Sequence, residues 1–103
     1  MAFFIVSAKP KPHVSELWKE IESGTIAELE PFGETLARGL CDARMDKHDR
    51  MVWVEEDYCS PPLRMEKEAV LDKYFEDIQV ERISNEEEGW SKISDLPVCW
   101  FLV

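Results

Sequence analysis

Apolar residues recur along this chain at two different spacings, and the places where the spacing changes divide it into elements. The run Phe3-Phe4-Ile5-Val6-Ser7-Ala8 is aromatic and β-branched, and Lys9-Pro10-Lys11-Pro12 closes it. Such residues suit a pleated, half-buried surface, and closely spaced prolines cannot continue a paired strand. A strand is therefore predicted over Phe3 to Ala8. From His13 to Glu22 the period lengthens: Val14, Leu17, Trp18 and Ile21 fall at i, i+3, i+4 and i+7, with Glu16, Lys19, Glu20 and Glu22 between them. That spacing lays one apolar stripe along a helix, and Gly24 stands where a C-terminal glycine cap belongs. Thr25 to Thr35, interrupted by Pro31 and Gly33, reads as a connecting loop.

Leu36 to Asp46 and Met51 to Tyr58 read as two strands of a hairpin turning at Lys47-His48-Asp49-Arg50. Side chains alternate along a strand. Ala37, Gly39, Cys41, Ala43 and Met45 then share one face of the first strand, while Leu36, Arg38, Leu40, Asp42, Arg44 and Asp46 share the other. In the second strand Val52 and Val54 are assigned to the buried face, and Met51, Trp53, Glu55 and Asp57 to the opposite one. A second helix follows Ser60, its predicted N-cap, with Pro61 in the first turn and an apolar stripe of Leu63, Val70, Leu71, Tyr74 and Phe75. Asp77 to Ser84 alternates as a strand, Asn85-Glu-Glu-Glu-Gly89 reads as a solvated turn, and a last strand is predicted from Val98 onward.

The order β-α-β-β-α-β within a single domain, residues 1–103, predicts an α+β, ferredoxin-like fold. Its antiparallel sheet carries two helices on one face, and the extra C-terminal strand is added to it. Strands one and three lie at its centre, since right-handed crossovers place them there. The sheet face away from the helices is then open, and it gathers Arg38, Asp42, Arg44, Trp53, Glu55 and Asp57 as the candidate ligand-binding residues. Two arginines beside carboxylates suit an anionic group or a peptide terminus through bidentate hydrogen bonds.

Charge narrows the partners. Acidic residues outnumber basic ones 22 to 12, for a formal charge of −10. That field disfavours nucleic acid and anionic membrane surfaces. Met1 to Ala8 is apolar but lacks a basic leader and is too short to span a bilayer. Cys41, Cys59 and Cys99 make an odd set without a C-x-x-C pair, which predicts a reducing, cytoplasmic setting.

Chemistry-bearing motifs are sparse. Glu55 and Asp57 share a side of their strand, but no EF-hand spacing accompanies them, and His13 and His48 lack zinc-ligand spacing, so no metal site is predicted. Cys59 precedes a helix start, yet its acidic neighbours oppose thiolate formation. No phosphate loop, dinucleotide fingerprint or nucleophile elbow is present, and no cofactor is predicted. Trp90 is expected to fold back over a sheet edge. The expected role is a self-associating binding or regulatory module with a small-molecule or protein ligand. The alternatives are a small enzyme using the carboxylates and arginines of the open face, or a divalent-cation binder.

Overall fold

The computed structural model describes residues 2–57 and 59–101. Strand β1, Ala2–Pro10, lies between β3, Met51–Asp57, and β4, Phe75–Ile83. The two-residue β2, Arg44–Met45, pairs with the start of β3. All pairings are antiparallel and the order is β2-β3-β1-β4, an α+β architecture built on one four-stranded sheet. Tyr58, expected to end the third strand, lies outside the described residues, as do the last two residues of the expected C-terminal strand.

Four helices surround the sheet. They are α1, Ser15–Glu22; α2, Gly33–Cys41; α3, which runs through Arg64–Glu66, a π-helical stretch Lys67–Leu71 and Asp72–Tyr74; and α4, Glu86–Ile93. Strand alternation divides the core into two layers. Phe4, Val6, Ala8, Met51 and Trp53 point to one face, where Leu17 of α1, Leu36 and Leu40 of α2 and Val70 and Leu71 of α3 cover them. Ile5, Val52, Val54 and Ile83 point to the other face and meet Ile93 of α4, with Trp90 packed alongside. Helices therefore pack on both faces, over β1 and β3, and leave most of β4 exposed. None is long and apolar enough to cross a membrane.

The segment predicted as the first hairpin strand is mostly α2. Leu36, Gly39, Leu40 and Ala43 stand at i, i+3, i+4 and i+7 and are all buried. A strand would have placed both leucines on its outer face, whereas the helix buries them together. Leucine, alanine and arginine also favour helix over strand. Beyond Val52, β3 has no strand neighbour on this side among the described residues, and α2 lies there instead. A Cβ at Gly39 would sit 2.6 Å from the Val54 carbonyl oxygen, so only glycine permits that approach.

The acidic stretch 85–89 is not a turn but the first half of α4. Asn85 Oδ1 accepts from the Glu88 N–H at 2.8 Å, and Glu88 Oε1 accepts from the Ser84 N–H at 2.6 Å. This is the reciprocal capping that starts a helix, and three glutamates in the first turn complement its dipole. Gly89 lets α4 settle on the sheet, since a Cβ there would stand 2.5 Å from Ile83 Cδ1 and 2.7 Å from Val54 Cγ2. Trp90 accordingly belongs to a helix rather than to a loop.

Two other expectations change. The helix after Ser60 begins only at Arg64, preceded by Leu63 with φ of 64°, and Ser60 does not cap it. Among the described residues the tail makes one isolated bridge, Arg44 to Val98, and then a 3-10 turn, Cys99–Phe101, where a strand is expected. The indole of Trp100 draws the chain out of extended conformation: it donates to the Leu40 carbonyl at 2.7 Å and packs on Trp18 with ring centroids 5.1 Å apart.

Candidate functional site

The six residues predicted to share an open sheet face do not do so. Arg38 is exposed on α2, with Nη2 3.8 Å from a Glu86 carboxylate oxygen. Asp42 is exposed at the C-cap of the same helix. Arg44 donates from Nη1 to the carbonyls of Ser94, at 3.1 Å, and Leu96, at 2.7 Å, and so fastens the segment after α4. Trp53, Glu55 and Asp57 do stay together, but on the other side: they lie buried beneath the layer of α1, α2 and α3. The side of β3 expected to be open is the side α1, α2 and α3 cover, and the valine side expected beneath those helices is the one that meets α4. α4 packs on the face to which Val52 and Val54 point and buries both, while β4 stays largely exposed.

Beneath that layer the structure assembles three buried carboxyls. Glu55 is 1% exposed, Asp57 4% and Glu66, from α3, 0%. The Trp53 indole donates to Glu55 Oε1 at 2.8 Å and packs on Phe75 with centroids 5.3 Å apart. Asp57 Oδ2 accepts the Leu63 N–H at 2.5 Å. The left-handed conformation of Leu63 accompanies that donation, and such conformations in non-glycine residues cluster at functional sites. The Cys59 thiol donates to Glu66 Oε1 at 3.8 Å. Glu55 Oε2 and Glu66 Oε2 have no hydrogen-bond partner among the described residues, and no ion pair reaches any of the three carboxyls there.

Burial without a counter-charge sets the protonation. Glu55 is pushed well above the ordinary carboxyl range by burial, reinforced by the charges of Glu66 and Asp57 and only partly opposed by the Trp53 hydrogen bond. Glu66 is raised to about 7, first by burial and then by its hydrogen bond and charge contact with Asp57. Asp57 goes the other way. Burial would raise it, but the Leu63 N–H, Glu66 and Cys59 hydrogen bonds together outweigh burial and hold it below its usual value. At Cys59 the Met65 backbone favours the thiolate, yet burial and the neighbouring Asp57 and Glu66 prevail and raise the thiol. An unactivated thiol is a poor nucleophile. The contacting Asp57–Glu66 pair, by contrast, can hold one positive charge between its oxygens, whether a proton or a metal ion.

Beside this cluster opens a cavity of about 600 Å³. Pro31, Phe32 and Thr35 line it from α2 and the turn before it, Glu56 from β3, Cys59 and Ser60 from the β3–α3 connection, and Arg64 and Met65 from the first turn of α3. Asp57 is the buried carboxyl that reaches it, while Arg64 contributes an exposed cation. The volume lies within the range of small-molecule sites, and apolar walls with a few convergent polar groups are their usual lining.

Glu66 was not among the predicted site residues, although the sequence carried a sign of it. It stands three residues after Leu63 and four before Val70, inside the apolar stripe of α3. A carboxylate at a stripe position is the kind of buried polar group that marks a site. Comparison with protein-family models, curated proteins and solved structures finds no match.

Proposed function

We propose that this protein is a small-molecule-binding domain whose ligand occupies the cleft between α2 and the β3–α3 connection. Asp57 and Arg64 serve as the charged contacts there, and Phe32 and Met65 as the apolar ones. The observation that carries the reading is the adjacency of a 600 Å³ cavity to three carboxyls that folding has buried without a counter-charge. A buried carboxyl without a counter-charge lowers stability, and such groups concentrate at functional sites. The adjacent Asp57 and Arg64 suit a polar ligand bearing both a donor and an acceptor or anionic group.

The strand order β2-β3-β1-β4 supports reading the topology as ferredoxin-like, elaborated by α4 on the second face. The formal charge of −10 argues against nucleic-acid partners, and three free cysteines favour a cytoplasmic setting. Self-association through an open sheet face or a C-terminal strand is not part of this proposal, because helices pack on the one and a 3-10 turn stands in place of the other.

Fragment screening on ¹⁵N-labelled protein tests the proposal. Bound fragments are expected to shift the amides of Phe32, Thr35, Cys59 and Arg64, and Met65→Trp, which fills the cleft, is expected to abolish those shifts. Fragments that bind only elsewhere, or shifts that survive Met65→Trp, would overturn it.

A further inference from the structure

We propose that Asp57, Cys59 and Glu66 hold a divalent metal ion of the zinc class, completed by a ligand from the adjoining cleft. The inference deepens the cleft reading and rests on it only for the group that completes the coordination. One donor atom from each of the three side chains lies within 4.8 Å of the others. Glu66 is wholly buried, and its Oε2 is left without a hydrogen-bond donor among the described residues, while Oε1 accepts the Cys59 thiol. Glu55, 1% exposed, interacts with Glu66 and Asp57 by charge and also leaves Oε2 unpartnered. Carboxyls so placed are neutralised either by protons or by a cation held between them, and no ion pair among the described residues supplies the cation.

The spacing and the donor types point to the kind of ion. Tetrahedral zinc with bonds of about 2.3 Å to sulfur and about 2.0 Å to oxygen separates those two donors by roughly 3.5 Å. Cys59 Sγ and Glu66 Oε1 are 3.8 Å apart, so a small side-chain adjustment suffices. Magnesium and calcium prefer all-oxygen shells, whereas a sulfur with two carboxylates suits zinc or cobalt. Three protein ligands leave a fourth position, the pattern of zinc sites that take an exogenous ligand. Asp57 and Cys59 both line the cleft, so that position opens toward it. The Leu63 N–H on Asp57 Oδ2 fixes the carboxylate from behind, as outer-shell donors do for metal ligands.

Cobalt titration of the full chain after chelator treatment tests this. The expected result is one Co²⁺ per chain with a sulfur-to-cobalt absorption band in the near ultraviolet, bleached by Zn²⁺. Cys59→Ser and Cys59→Ala are each expected to abolish the band, and Glu66→Gln to weaken binding by about tenfold or more. Cys41→Ser, at an exposed position on α2, is expected to change neither. Absence of the band, its survival in both Cys59 variants, or its loss in Cys41→Ser would overturn the inference. Fragments that bind the cleft of a protein without a cobalt band would overturn the metal and leave the ligand site standing. A band in a protein whose cleft binds no fragment would support the metal and overturn the small-molecule reading.

Discussion

Replacing Glu66 with glutamine keeps the shape of the side chain and a donor for Asp57 but removes the titrating proton. In the native state Glu66 holds its proton up to about pH 7, against an ordinary value of 4.5. Between those values the folded chain binds more protons than the unfolded one, so raising the pH favours unfolding. The stability difference is absent below about pH 4.5, develops as the pH rises, and is complete above about pH 7. At roughly 1.4 kcal/mol per pH unit it amounts to about 3 kcal/mol. Urea unfolding in EDTA, followed by circular dichroism from about pH 4 to about pH 8, measures it. The stability of Glu66→Gln relative to wild type is expected to grow by about 3 kcal/mol across that range, whatever constant offset the amide introduces. Parallel stability curves would refute the reasoning, because Glu66 would then titrate alike in both states.

Three further substitutions probe the packing that positions the site. Gly89→Ala places a methyl group 2.5 Å from Ile83 Cδ1 and is expected to cost about 1–3 kcal/mol in urea unfolding, with neutrality contradicting the close approach of α4. Asn85→Ala removes the acceptor for the Glu88 N–H, and a loss of about 1 kcal/mol is expected by thermal denaturation. Trp100→Phe deletes the hydrogen bond to the Leu40 carbonyl, and a destabilisation of about 1 kcal/mol is expected; an unchanged melting temperature would show that the tail is not anchored there.

What the sequence made legible follows from which signals were unambiguous. The strand at Phe3–Ala8 and the helix around Leu17 carried one period each, and both formed. Leu36 to Ala43 carried two: small residues alternate while the leucines lie four apart, and burial of both leucines decided for helix. Asn85 and Glu88 fit a solvated turn by polarity alone, and they also form a helix-starting pair. The helix this pair starts takes the valine side of β3, and α2, formed where a strand was expected, joins the layer over Trp53, Glu55 and Asp57. The pairing of Glu55 with Asp57 survived because alternation keeps residues two apart on one side whichever side that is. The arrival of Glu66 beside them depends on how α3 crosses the sheet, and no local pattern encodes that crossing.

Three carboxyls, Glu55, Asp57 and Glu66, share one buried environment beneath the helices. Carbon-detected NMR of the side-chain carboxyls in the metal-free protein tests it most directly. Glu66 is expected to titrate near pH 7, Asp57 below its ordinary range, and Glu55 to stay protonated well above the usual carboxyl value. Three titrations clustered near pH 4 would place these groups in water and contradict the account.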